Sequence, residues 1–120
     1  MPMSVNATLR TAILYRRPVE MLAAGRLRKA CPYALGYKND RLKLLVFQFF
    51  GETRSALPSA GLWRCFLLAE IAWVKIIEGP WRTGHHRVLK IETSFDYVDL
   101  EVRPRAHAST PGATSFVTLA

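Results

Sequence analysis

The chain has 120 residues, of which 50% are apolar and 22% charged, with a net charge of +8 from 17 basic and 9 acidic residues. This composition excludes a disordered chain, and the length allows one domain with its own core. No apolar run reaches the length of a membrane span, and the first ten residues lack the apolar stretch of a signal peptide. We therefore expect a cytoplasmic protein in which Cys31 and Cys65 are reduced and mostly buried.

The positive charge is concentrated in the first half of the chain. Residues 1–30 contain six Lys or Arg against one acid, whereas residues 63–103 contain six of each. Basicity of this size favours a polyanionic partner, a nucleic acid or nucleotide, although it also commonly reflects solubility alone.

In chain order, residues 7–16 predict a helix, capped by Asn6 or Ser4 and ended by Pro18, because the residue before a proline is disfavoured in the helical region. Alternating or short apolar segments then predict a series of strands. These are residues 19–23, 27–31, 33–37, 42–50, 63–68, 71–77 and 97–102. The turns are Ala24-Gly25, Asn39-Asp40 and Ala69-Glu70; residues 51–61 read as a polar loop and 78–86 as irregular.

Six or seven short strands with close turns predict a mainly β fold: a small barrel or strongly curled antiparallel sheet, with one N-terminal helix packed against it. We place this domain at residues 1–103. Residues 104–120, rich in Ala, Ser, Thr and Pro, are expected to form a loose tail.

A set of residues in fixed order resembles the WYL domain family. It comprises Arg28, Pro32-Tyr33, Leu35-Gly36-Tyr37, Leu42-Lys43-Leu44, Arg64, Phe66, Leu68 and Ile71, followed by Gly79-Pro80-Trp81-Arg82-Thr83-Gly84. The likeness covers about residues 9–103 and is strongest to short, single-domain bacterial members. The naming triplet is Leu42-Lys43-Leu44 here, and Ala69 and Glu70 stand where the family has Asp and Arg.

The resemblance implies an SH3-like (Sm-like) β-barrel whose basic groove senses a ligand, usually a nucleic acid or nucleotide. In larger members this domain follows a DNA-binding winged helix and controls transcription. Only one predicted helix precedes the sheet here, so a full regulator would need a separate DNA-binding or nuclease partner chain.

Three basic residues are the candidates for contact with phosphate. Arg28 and Arg64 match motif arginines, and Lys43 replaces the family's Tyr on a central strand. Because lysine is rarely buried without a partner, we expect Lys43 to face water at an edge or to line a polar pocket, and the resemblance favours the pocket. For Arg64 the alternative is structural pairing with a carboxylate, such as Glu52 or Glu70.

Tyr33 and Tyr37 are candidates for stacking on bases, although aromatic residues at strand spacing are more often core. Phe47 is expected to be core.

The sequence shows no catalytic pattern. The cysteines have apolar neighbours, glycines are isolated, and His85-His86 lack further ligands at metal spacing. We expect no enzyme activity, no cofactor and no metal. The alternative to ligand binding is a protein–protein module, a dimer anchored by Trp63, Trp73 and Trp81, because tryptophan is enriched at interface hot spots.

Overall fold

The computed structural model describes residues 3–51 and 61–103. It contains two α-helices, six strands and one 3₁₀ turn in that part of the chain. The elements are α1 (Val5–Tyr15), β1 (Val19–Ala23), β2 (Arg26–Lys38), β3 (Arg41–Gly51), β4 (Leu62–Leu67), the 3₁₀ turn (Leu68–Glu70), β5 (Ile71–Ile76), α2 (Arg87–Ser94) and β6 (Tyr97–Glu101).

Local sequence signals account for the start and end of α1. The Ser4 hydroxyl accepts a hydrogen bond from the Ala7 N–H at 3.1 Å, which satisfies one of the unpaired amides of the first turn. Arg16, two residues before Pro18, takes a left-handed conformation and ends the helix. Leu9, Ala12 and Ile13 form its buried side.

All strand pairs are antiparallel, in the order β4-β3-β2-β1-β5, and the long strand β2 organises the sheet. One edge of β2 pairs with β3 along most of its length. The other edge is shared, because residues 26–30 pair with β1 and residues 34–37 pair with β6. Residues 31–36 are buried, as expected for a central strand.

The prediction of a mainly β, antiparallel fold is confirmed, and the predicted closed barrel is not. The sheet is open, since β4 and β5 end its strand order and no described pairing joins them.

The predicted N-terminal helix is present as α1, and the structure adds a second helix, α2, that the sequence analysis did not predict, after the irregular segment. This helix has eight residues, no side-chain cap and one buried residue, Ile91, so its sequence signal is weak.

The strands predicted at 27–31 and 33–37 are one strand. Pro32 does not break β2, because it lies at a register shift between Pro32 and Ala34, where the missing N–H is tolerated. The predicted loop interior at 52–60 and the predicted tail at 104–120 lie outside the described residues.

The buried core combines α1, the central strands and α2. Leu9 and Ile13 of α1 meet Met21 of β1 and the apolar residues of β2 and β3, and Ile91 of α2 joins the same cluster. In the described residues, no helix is long and apolar enough to cross a membrane.

Candidate functional site

Arg28 is a buried cation near the start of β2, only 2% exposed. Its Nε donates a hydrogen bond to the Ala23 carbonyl at 3.0 Å, and its Nη1 donates to Gln48 Oε1 at 3.1 Å. The guanidinium carbon lies 4.7 Å from the centroid of the Phe66 ring. The groups that hold Arg28 are thus two neutral acceptors and an aromatic face.

A second guanidinium lies near the same ring. Arg64 on β4 is partly exposed, and its guanidinium carbon lies 5.7 Å from the Phe66 centroid. In the described part of the chain, no ion pair includes Arg28 or Arg64. We call Arg28, Phe66 and Arg64, with Gln48, the arginine cluster.

Among the described residues, positive charges outnumber negative ones at the cluster. Burial lowers the pKa of Arg28, and the nearby charges of Arg64 and Arg26 lower it further, against an opposing contribution from Glu70. Glu70 is exposed and its Oε1 accepts the Leu67 N–H at 2.8 Å. A buried charge without a bound counter-ion is costly, so an anion placed beside Arg64 would be favourable.

Structural pairing of Arg64 was the alternative derived from sequence. No ion pair joins it to Glu70 in the described residues. The other candidate partner, Glu52, lies outside them.

Lys43 lies on the opposite face of the sheet from the arginine cluster. In the β3–β4 register, Lys43 pairs with Leu67 and Val46 pairs with Arg64, without an intervening bulge. Because side chains alternate along a strand, residues 43 and 46 project to opposite sides. The structure therefore does not bring Lys43 and Arg64 together in one groove; Arg28 and Arg64 are brought together.

Tyr33 belongs to the core. It is 1% exposed, and its ring packs against Trp63 at 4.9 Å and Trp81 at 5.0 Å between centroids. Its hydroxyl donates to the Arg82 carbonyl at 2.6 Å and accepts the Gly84 N–H at 3.1 Å. With its faces and hydroxyl engaged, Tyr33 has no surface for a base.

The segment after β5 encloses this aromatic cluster, which consists of Tyr33, Phe47, Trp63 and Trp81. Phe47 is 2% exposed and packs on Trp63 at 5.1 Å, so its predicted core role is confirmed. A Cβ added at Gly84 would collide with the Trp63 ring. Glycine therefore allows the backbone to approach the rings this closely.

Tyr37 is a surface residue at the other end of β2. It is 39% exposed and lies 6.3 Å from the ring of Tyr97 on β6. It pairs with Leu42 of β3, four residues from the partner of Arg64, which corresponds to about 13 Å along the strand. The five predicted site residues thus occupy several separate places.

The two cysteines differ. Both are free; Cys31 is buried as predicted, whereas Cys65 is exposed, so the prediction is wrong for the second. Burial raises the pKa of Cys31 to about 11, although the Arg82 N–H donates to its sulfur at 3.3 Å. Across residues 3–51 and 61–103, no group of three or more His, Cys, Asp or Glu is arranged to hold a metal.

One contributor to the arginine cluster, Gln48, was not singled out from the sequence. Gln48 is fully buried, and its amide accepts from Arg28 while its Nε2 donates to the Phe50 carbonyl at 3.3 Å. The available signal was a polar residue inside the apolar run 44–50, because a buried amide requires partners.

A separate cavity of about 710 Å³ lies between α2 and β6. Its lining includes Ile91, Val98 and Leu100 together with acidic and basic residues, and includes none of the arginine cluster.

No family model matches the chain, and no curated protein matches it. Among solved structures, the chain is similar to part of proteasome accessory factor B/C (PafBC) of Arthrobacter aurescens, with 16% identity and a TM-score of 0.48. The match covers 72% of this chain and 14% of PafBC. At this distance the likeness carries no argument about function, and the WYL resemblance stays a prediction.

Proposed function

We propose that this chain is a binding domain, not an enzyme, that takes a phosphate-bearing ligand at the arginine cluster and serves a regulator of WYL type. The ligand class is a nucleic acid or nucleotide. Arg64 supplies the contact from its partly exposed position. Arg28, too buried to touch a ligand directly, supplies a positive potential behind it.

The observation that carries this proposal is the buried guanidinium of Arg28. It is held by neutral acceptors, and the described residues provide no ion pair for it or for Arg64. Desolvation makes such a charge costly and strengthens its attraction for an anion. A guanidinium at the surface of the cluster fits phosphate through its planar fork of donors.

The rest of the chain's charge is consistent with this ligand class. The net charge of +8 attracts polyanions over distances of about 8–10 Å at physiological salt.

The test is an anisotropy titration with labelled single-stranded DNA and RNA, with unlabelled nucleotide as competitor. Arg64→Ala is compared with Lys43→Ala, which removes an equal charge from the opposite face of the adjacent strand. We expect Arg64→Ala to weaken binding about tenfold, since a charge-assisted hydrogen bond contributes about 1.5–3 kcal/mol. It should also reduce the slope of log affinity against log salt by about one.

Lys43→Ala is expected to stay within about twofold of wild type at the same salt concentration. Equal losses in the two variants, or no binding by wild type, would contradict the proposal.

A further inference from the structure

A second surface of the sheet carries partly exposed apolar and aromatic side chains. Trp73 of β5, Leu22 of β1 and Leu27 of β2 are cross-strand neighbours in one row. Phe50 of β3 lies opposite Lys29, the next residue on the same side of β2 as Leu27. Trp73 is 39% exposed, Leu27 44% and Phe50 53%. We call these four apolar residues, with Lys29 and Lys75, the stacking face.

The stacking face is distinct from the arginine cluster. Arg28 stands between Leu27 and Lys29 in β2, so its side chain projects to the opposite side of the sheet. Its burial at 2% beside the exposed Leu27 reflects this alternation.

Lysines border the aromatic residues. Lys75, Glu20 and Lys29 form the adjacent cross-strand row. The Glu20 carboxylate is already paired with Lys75 Nζ at 3.3 Å, and Lys29 Nζ lies 4.9 Å from the Phe50 centroid. The border therefore presents net positive charge beside exposed rings.

We propose that the stacking face binds single-stranded nucleic acid, with bases stacked on Trp73 and Phe50 and phosphates near Lys29 and Lys75. Exposed rings beside basic side chains match the chemistry of sequence-tolerant single-strand binding. The two rings lie three strand spacings apart across the sheet and two residues apart along it, about 16 Å in all, so one oligonucleotide can reach both.

The charge of the stacking face favours a nucleic acid strand over a second copy of the chain. Two copies meeting through this face would bring the lysines of both together, and each carries a net charge of +8. A nucleic acid strand supplies the opposite charge. Of the three tryptophans, Trp73 is the one exposed on this face, whereas Trp63 and Trp81 pack on Tyr33.

The experiment measures binding of labelled oligonucleotides of about ten nucleotides, as single-stranded DNA, single-stranded RNA and duplex DNA. Trp73→Leu and Phe50→Leu keep an apolar side chain but remove the ring. Tyr15→Leu is the matched control, because Tyr15 is a 72% exposed aromatic residue on α1. Equal unfolding midpoints would show that each variant keeps the fold.

We expect each of the first two variants to weaken single-strand binding about tenfold, and the control to stay within about twofold. Duplex DNA should bind less tightly than either single strand, because its paired bases offer no free face. Wild-type affinity in Trp73→Leu and Phe50→Leu would overturn the proposal. A dimer in light scattering that Trp73→Leu dissociates would also overturn it, in favour of a protein interface.

Arg64→Ala separates this proposal from the previous one. It leaves the stacking face unchanged, so the losses caused by Trp73→Leu and Phe50→Leu should persist in the Arg64→Ala background.

Discussion

The aromatic cluster and the arginine cluster differ in how their buried polar groups are paired. In the aromatic cluster, the Tyr33 hydroxyl both donates and accepts within the chain. In the arginine cluster, Arg28 has neutral acceptors, a ring and a like-charged neighbour. The first is internally balanced and acts as core; in the second, we propose that a ligand balances the remaining charge.

The largest expected effect on stability comes from a substitution that disrupts the aromatic cluster. Tyr33→Ala removes a ring 1% exposed and should lower the free energy of unfolding by about 3–5 kcal/mol. Tyr37→Ala is the control, since Tyr37 is 39% exposed and its loss should cost less than about 1 kcal/mol. Urea unfolding of both variants measures the difference. Similar losses would mean that Tyr33 is not the packed member of the pair.

A smaller effect on stability comes from pH and from Cys31, the cross-strand partner of Phe47 in the aromatic cluster. The pKa of Cys31 is about 11 in the folded protein, against an unperturbed value of 9.0, because of burial. The folded state therefore holds this proton more tightly, so its stabilising contribution is complete below pH 9 and is lost as the pH rises to 11. The loss amounts to about 2–3 kcal/mol.

Cys31→Ala provides the comparison for that measurement. Wild type should lose more unfolding free energy than the variant between pH 9 and pH 11, the interval set by the two pKa values. Parallel pH profiles would show that this thiol ionises equally easily in both states.

The smallest effect on stability is expected in the arginine cluster. Arg28→Met removes a buried charge and leaves the Ala23 carbonyl and Gln48 Oε1 without their donor, two effects of opposite sign. We expect the free energy of unfolding without ligand to change by less than about 1 kcal/mol, and nucleotide to stabilise the variant less than wild type. A loss above about 3 kcal/mol without ligand would make Arg28 a structural residue.

Local sequence patterns predicted the positions of the strands well. They did not predict how the strands pair. The short segment before the Ala24-Gly25 turn placed β1 at its observed bounds, Val19–Ala23. Of the two predicted caps of α1, Asn6 and Ser4, the structure uses Ser4. The eight-residue α2 was missed because it lacks a side-chain cap and buries only Ile91. Barrel closure depends on whether the end strands pair, which no single segment encodes.

The candidate site shows the same division between local and non-local information. The motif resemblance marked Arg28 and Arg64, and the structure places both around Phe66. Lys43 was grouped with them because it stands at the position of the family's Tyr. The face that it occupies depends on the β3–β4 register, and a shift of one residue would reverse that face.

The most direct test of ligand binding at the arginine cluster is a ¹H–¹⁵N spectrum of the arginine Nε–H groups during titration with nucleotide. The account predicts saturable shifts for Arg28 and Arg64, and none for Arg41, an exposed arginine in the β2–β3 hairpin. Shifts confined to arginines outside the cluster, or no saturation at any of them, would contradict it.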